Sequence, residues 1–285
     1  MRITENLNLS SFNSYRINAS CKKAYFPENE SDLLAILGDP NLDKPVILGN
    51  GNNIILSRQF YNQDFIILNG CFENTEINKN IIVAEAGATM LHLSELALAN
   101  SLTGFEIFYD IPSSVGGAVV MNAGAGGEEI KDYIEKVRYL DLDDMKVKEV
   151  QVDDIHYSYR NSIFQQQGSA VILKTWFRLQ KGNQEMIHSK MQETKKMRWE
   201  KQPRDYPNCG SVFKRPPGYF VGQIMEELGL KGRSIGDARI SEKHGGFIIN
   251  TGNATGEDIL KLIDIVKEKV YVRYGIDLEI EQRII

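Results

Sequence analysis

The sequence predicts an α+β protein, and three observations carry that prediction. Short apolar runs bounded by Gly, Asn, Asp or Lys dominate the first two thirds of the chain. Helical periodicity is sparse there and pronounced in the last third. A polar, highly charged segment at 185–201 separates the two regimes.

Taken in order, the runs at 45–49, 65–68, 81–84, 137–140 and 170–173 read as strands. Between them, 31–37 reads as a helix with Ser31 as N-cap and a stop near Gly38. A second helix spans 90–101, with Leu93, Leu96 and Ala97 on one side and Gly104 just beyond it. The charged helix at 185–201 stops before Pro203. Val221, Ile224, Met225 and Leu228 lie at helical spacing, with Gly229 as the stop. Thr255 has the position of an N-cap and Asp258 that of its capping-box partner. That helix buries Ile259, Leu262, Ile263, Val266 and Val270 and ends at Gly275. A final strand is expected over 276–285, placing Glu279 and Glu281 on one face. These elements imply a strand-rich α+β part to about residue 182, then a smaller α+β domain.

Composition narrows the function classes. The chain has 285 residues, a net charge of -5 and no long run of Lys or Arg, which disfavours a nucleic-acid partner. Its densest basic spot, Lys195, Lys196, Arg198 and Lys201, is interleaved with Glu193 and Glu200. No apolar run has the length of a signal peptide core or a bilayer span, so no membrane association is expected. Cys21, Cys71 and Cys209 are far apart and odd in number, which points to a reducing cytoplasm without disulfides. His92, His156, His188 and His244 form no pair at metal-ligand spacing, so no metal site is expected.

The most informative stretch is 111–127, Ile-Pro-Ser-Ser-Val-Gly-Gly-Ala-Val-Val-Met-Asn-Ala-Gly-Ala-Gly-Gly. It holds five glycines, three alanines and no charge, too much glycine for a regular helix or strand. Backbone this bare either packs against other backbone or offers amide groups to a polyanion. A second such turn, Leu48-Gly-Asn-Gly-Asn-Asn53, is not a Rossmann fingerprint because no helix-opening GxGxxG follows. Two bare turns in one strand-rich region suggest a diphosphate held from two sides. Arg160, among Tyr157 and Tyr159, can be a stacked surface arginine or a ligand-binding cation. Ser211 follows Gly210 and precedes Lys214 and Arg215; it can be a turn serine or, poised by nearby charge, a proton donor. No GxSxG elbow accompanies it, which disfavours a hydrolase nucleophile.

In order along the chain, these segments resemble the motifs of one family, the UDP-N-acetylenolpyruvoylglucosamine reductases (MurB), in its shorter form. The matching segments are 13–16, 48–53, 104–127, 159–162, 210–214, 243–250 and 278–283. The resemblance implies a two-part FAD-binding region of the PCMH type, like that of vanillyl-alcohol oxidase, at 1–65 and 66–182. It implies a C-terminal α+β substrate domain at 183–285, whose last strand returns to the active site. It also implies non-covalent FAD, NADPH as hydride donor and a sugar-nucleotide substrate. NADPH would reduce the flavin first; the enolpyruvyl sugar nucleotide would then take the hydride at C3 and a proton at C2.

Carried over by position, the resemblance makes Arg160, Ser211 and Glu281 the catalytic residues, with Ser211 as the proton donor. FAD contacts fall on Gly49, Asn50, Gly51, Asn52 and Asn53, and on Ile111, Pro112, Ser113, Ser114, Gly116, Gly117, Ala118, Asn122 and Gly124. Lys214 and Asn250 fall on the substrate side. Asp110 and Ser113 stand where the family usually has glycine, so weaker approach of the flavin phosphates is expected there. A monomer is expected, with an oligomer left open. The competing readings are a non-catalytic sugar-nucleotide binder on the same fold and another flavin oxidase or dehydrogenase of the superfamily.

Overall fold

Each apolar run expected to be extended forms a strand, and most reach further than the run itself. The strands are Val46–Leu48, Phe60–Ile67, Ile81–Glu85, Ile134–Asp141 and Ala170–Arg178. The computed structural model describes the backbone of residues 1–285 and every side chain except that of Gln167. It divides into two units. The first comprises Met1–Thr4, Ala24–Asn50 and Asp64–Arg198, and the second Glu5–Lys23, Gly51–Gln63 and Trp199–Ile285.

The first unit is built on a five-stranded antiparallel sheet ordered Lys146–Gln151, Ile134–Asp141, Ala170–Arg178, Ile81–Glu85 and Thr75–Asn78. Along Ile134–Asp141 the buried residues recur every third position, at Ile134, Val137 and Leu140, where register shifts against Ala170–Arg178 break the strict two-residue alternation. Helices α1 (Glu30–Leu37), α2 (Met90–Ala99), α3 (Val115–Met121) and α4 (Ile163–Gln167) also belong to this unit. Phe105 seals the core through edge-on contacts with Phe108, Tyr133 and Phe177, at ring distances of 5.2–5.7 Å.

Three local expectations change. Asn29, not Ser31, caps α1: its side chain accepts the Asp32 amide, and Ser31 lies inside the first turn. The glycine-rich stretch contains a helix, α3, where bare loop was expected. Glycine is used here for close packing: a Cβ on Gly116 would lie 3.0 Å from the Ala86 Cβ, so the helix sits directly on the strand end. The expected terminal strand over 276–285 is reduced to Arg283–Ile284, because its parallel partner, Ile54–Ile55, is itself only two residues long. Residues 279–281 instead run beside 212–214 through a single bridge, Phe213 to Ile280.

The charged segment forms α5 (Gln184–Lys201), and the second unit adds α6 (Val221–Glu227) and α7 (Gly256–Tyr274). Helix α7 has the expected Thr255–Asp258 capping box, the expected buried stripe and a left-handed Gly275 at its end. It packs on a three-stranded antiparallel sheet, Ser234–Ile235, Ala238–Ile240 and Ile248–Asn250. No helix among the described residues is long and apolar enough to cross a membrane.

Candidate active site

The two bare-backbone segments meet within the first unit. Gly49, at the turn after Val46–Leu48, lies against Ser114, the N-cap of α3; a Cβ at Gly49 would be 2.2 Å from Ser114 Oγ. That hydroxyl accepts the Gly117 amide at 3.3 Å. Beside them, the side-chain oxygen of Asn50 is buried and accepts no hydrogen bond. Buried acceptors are almost always satisfied, so this atom calls for a donor from a ligand. A polyol hydroxyl can supply it; with the two ends of the amide exchanged, the NH₂ would instead meet a phosphate oxygen. A flavin dinucleotide carries both groups, and the residues present fit it.

Other members of the expected cofactor set have work inside the protein. Gly116 donates its amide to the Ala86 carbonyl at 2.9 Å, and Ala118 is wholly buried. Gly51 has a φ of 65°, and a Cβ there would lie 2.0 Å from the Phe12 carbonyl oxygen. A Cβ on Gly124 would press on the Glu128 carbonyl at 2.3 Å, so that glycine permits the pairing of Gly124–Ala125 with Glu128–Glu129. Ile111 and Pro112 form the bend before α3, with the Ser113 amide donating back to the Ile111 carbonyl at 2.8 Å. The Ser113 hydroxyl turns back to the Ser114 carbonyl at 3.0 Å. Asp110 lies 3.2 Å from Arg198 Nε on α5, both side chains largely buried, so its negative charge is compensated locally.

Arg160 is drawn to the same glycine-rich segment. Its guanidinium donates to the carbonyls of Asn122 at 3.2 Å and Gly124 at 2.7 Å and lies 5.1 Å from the centre of the Tyr159 ring. Asn122 ends α3 in the left-handed conformation at φ 51° and is wholly buried. Its amide donates to the Ser158 carbonyl at 3.0 Å, and its side-chain oxygen accepts the Lys131 amide at 3.4 Å. The Arg160 backbone is itself left-handed, at φ 54°. Non-glycine residues adopt that conformation at a cost, and such strain concentrates at functional positions.

Ser211 and Glu281 come together in the second unit. Gly210 turns the chain at φ 79°, its amide held by the Asn208 side chain at 3.1 Å, and Ser211 bridges to Phe247. The Glu281 amide donates to the Val212 carbonyl at 2.8 Å, and the Asn53 side chain donates to the Glu281 carbonyl at 3.1 Å. The Arg283 amide returns to the Asn53 carbonyl at 2.9 Å, and Ser14 Oγ bonds Asn52 Oδ1. Lys214 is paired with Glu279 through both backbone and side chain. Asn250 is buried, with its amide on the Tyr15 carbonyl at 2.8 Å and its oxygen accepting the amides of Gly252 and Ala254.

Two neighbours of this cluster have shifted proton affinities. Burial pushes the Cys209 thiol up to about 12, so it stays protonated and is a poor nucleophile. Burial lowers the His244 imidazole below its ordinary value, and its Nδ1 accepts the Gly246 amide at 3.1 Å. Sequence reasoning assigned no role to Tyr15 or Gln282, which are 267 residues apart and bonded through their side chains at 3.0 Å.

Comparison with known proteins matches two separate stretches of the chain. An FAD-binding domain model matches residues 22–150, and a model for the C-terminal domain of UDP-N-acetylenolpyruvoylglucosamine reductase matches 202–285. A UDP-N-acetylenolpyruvoylglucosamine reductase of Caldanaerobacter subterraneus is 41% identical over 274 residues, 95% of this chain and 90% of the relative. The enzyme of that name from Francisella tularensis is 41% identical over 99% of this chain and its own full length. The crystal structure of the Thermus caldophilus reductase superposes with a TM-score of 0.85 at 28% identity, covering 100% of this chain and 99% of that one. With both halves matched in one chain and relatives similar along its length, the protein belongs to the UDP-N-acetylenolpyruvoylglucosamine reductase (MurB) family.

Proposed function

We propose that this chain reduces UDP-N-acetyl-3-O-(1-carboxyvinyl)-glucosamine to UDP-N-acetylmuramate with NADPH, through non-covalently bound FAD, in peptidoglycan precursor synthesis. The observation that carries this reading is the pairing, in one chain, of a flavin-binding region with the reductase C-terminal domain. A binder or an unrelated flavin oxidase has no need of both. Residues 1–65 and 66–182 would hold the flavin and 183–285 the sugar nucleotide. None of the three cysteines forms a disulfide, which suits a cytoplasmic enzyme.

Bound FAD supplies the relay of two electrons from NADPH to the substrate. Gly49, Asn50 and Ser114 hold its diphosphate and polyol region, helped by Gly117 at the start of α3. Arg160 offers fixed positive charge to the carboxylate next to the double bond, where negative charge grows as C3 takes hydride. Its pinned guanidinium needs little reorganisation to do so. Ser211 gives its hydroxyl proton to C2. Glu281, tied to the strand beside Ser211, assists as an acid or through water. Lys214 serves the diphosphate side of the substrate, and Asn250 acts through Tyr15 rather than by direct reach.

The test is spectroscopic. Purified protein should be yellow, lose its flavin absorbance on anaerobic addition of NADPH, and regain it on addition of the enolpyruvyl sugar nucleotide. A colourless protein that also fails to take up added FAD would overturn the reading.

A further inference from the structure

Gln282 is buried between the half-buried Glu281 and the exposed Arg283. Its side-chain nitrogen lies 3.1 Å from the Cys209 carbonyl oxygen, 3.3 Å from that of Gly210 and 3.4 Å from that of Ser211. Its side-chain oxygen accepts the Tyr15 hydroxyl at 3.0 Å. Three consecutive carbonyls converging on one nitrogen leave the amide a single sensible orientation, with NH₂ towards the turn. Tyr15 then has to donate, and its wholly buried phenol, held well above its ordinary proton affinity by desolvation, keeps the proton to do so. Asn250 holds the other side of the cluster: its side chain grips the Tyr15 carbonyl, and its amide donates to the Pro207 carbonyl at 2.9 Å. The turn carrying Ser211 is thus gripped from Pro207 to Ser211, and the next carbonyl, that of Val212, takes the Glu281 amide.

We propose that Gln282 and Tyr15 are positioning residues that aim the Ser211 hydroxyl at the substrate carbon and hold it in register with Glu281. The inference rests on the reading of Ser211 as the proton donor. A pair kept only for bulk would be better served by apolar side chains, which fill a core without desolvating an amide and a phenol. A fully satisfied polar network gives direction, which proton delivery needs. The register follows from adjacency: Gln282 fixes the turn from one side of the backbone, while the neighbouring Glu281 amide fixes the next residue along.

The experiment follows both half-reactions by stopped flow in wild type, Gln282→Met and Tyr15→Phe holoenzymes. Flavin reduction by NADPH should stay within about twofold in both variants, since no proton from Ser211 is involved. Re-oxidation by the enolpyruvyl sugar nucleotide should slow roughly 10–100-fold in Gln282→Met and about tenfold in Tyr15→Phe, with KM little changed. The solvent deuterium isotope effect on re-oxidation should rise in both, a change that loosened folding alone does not produce. Equal slowing of the two half-reactions, or an unchanged isotope effect, overturns the proposal. If Gln282→Met fails to fold, Tyr15→Phe decides alone, and wild-type-like re-oxidation in it overturns the proposal. A wild type that binds FAD yet is never re-oxidised by this substrate would fail the parent reading, while both variants matching a competent wild type would fail only this one.

Discussion

Arg160 donates to the main-chain carbonyl of Asn122 at 3.2 Å, while the Asn122 side chain fastens the Ser158 carbonyl two residues before the arginine. One buried asparagine thus holds both the guanidinium and the strained backbone that bears it. Asn122→Gly keeps the left-handed conformation without cost but removes the side-chain bonds. Steady-state kinetics of that variant should show kcat down about tenfold, equivalent to one net hydrogen bond. Asn122→Ala should be less stable than Asn122→Gly by about 1 kcal/mol in urea denaturation, because alanine resists positive φ.

Ser211 should matter to one half-reaction only. Ser211→Ala is expected to reduce flavin with NADPH at nearly the wild-type rate and to slow re-oxidation by substrate about 10²–10⁴-fold. Rapid-mixing absorbance separates the two. Equal losses in both would make Ser211 a binding or structural residue.

Gly49→Ala places a methyl 2.2 Å from Ser114 Oγ, where the two bare segments close on each other. The variant should fold with an unchanged far-ultraviolet circular dichroism spectrum yet purify with substoichiometric flavin. A full complement of tightly bound FAD in this variant would show that the Gly49–Ser114 contact is not part of the cofactor cradle.

Asp110, expected from the resemblance to be a glycine position, is paired with Arg198. Asp110→Asn should therefore bind FAD much as wild type does. Arg198→Ala, which removes this cation from beside a largely buried carboxylate near the glycine-rich segment, should weaken FAD about 3–10-fold by fluorescence titration. Combining Asp110→Asn with Arg198→Ala should restore most of that loss.

His244 sets a pH dependence of stability. Its folded-state proton affinity is lowered, so between that value and the unfolded value of 6.5 the unfolded chain binds more protons than the folded one. Its contribution is fully present above the unfolded value and is lost as pH falls through the folded value. The thermal midpoint should drop between about pH 7 and pH 5, and part of that drop should vanish in His244→Gln. Differential scanning calorimetry across that range checks the sign.

The parts of this protein legible in the sequence are those set within a few residues. The Thr255–Asp258 capping box, the buried stripe of α7 and the stop at Gly275 all depend on groups less than two turns apart. The apolar runs likewise needed only their own length and flanking turn residues to be recognised as strands. Helix α3 is illegible in the sequence because its Gly116 answers to Ala86, a neighbour distant in sequence, and not to helix propensity. The terminal strand was overextended because a strand's length is decided by its partner, here the two residues Ile54–Ile55.

By itself, then, the sequence determined the α+β character and the order of elements, and it singled out Arg160, Ser211, Glu281 and the two bare-backbone turns as the candidates for chemistry. Only the tertiary structure decided which of those turns' atoms remain unclaimed, that Asp110 has Arg198 for company, and that Tyr15 reaches Gln282. The physical reason is range. Caps and alternation are written in local backbone geometry, whereas the partner of a buried polar atom is chosen when distant segments pack and every donor and acceptor between them must be satisfied.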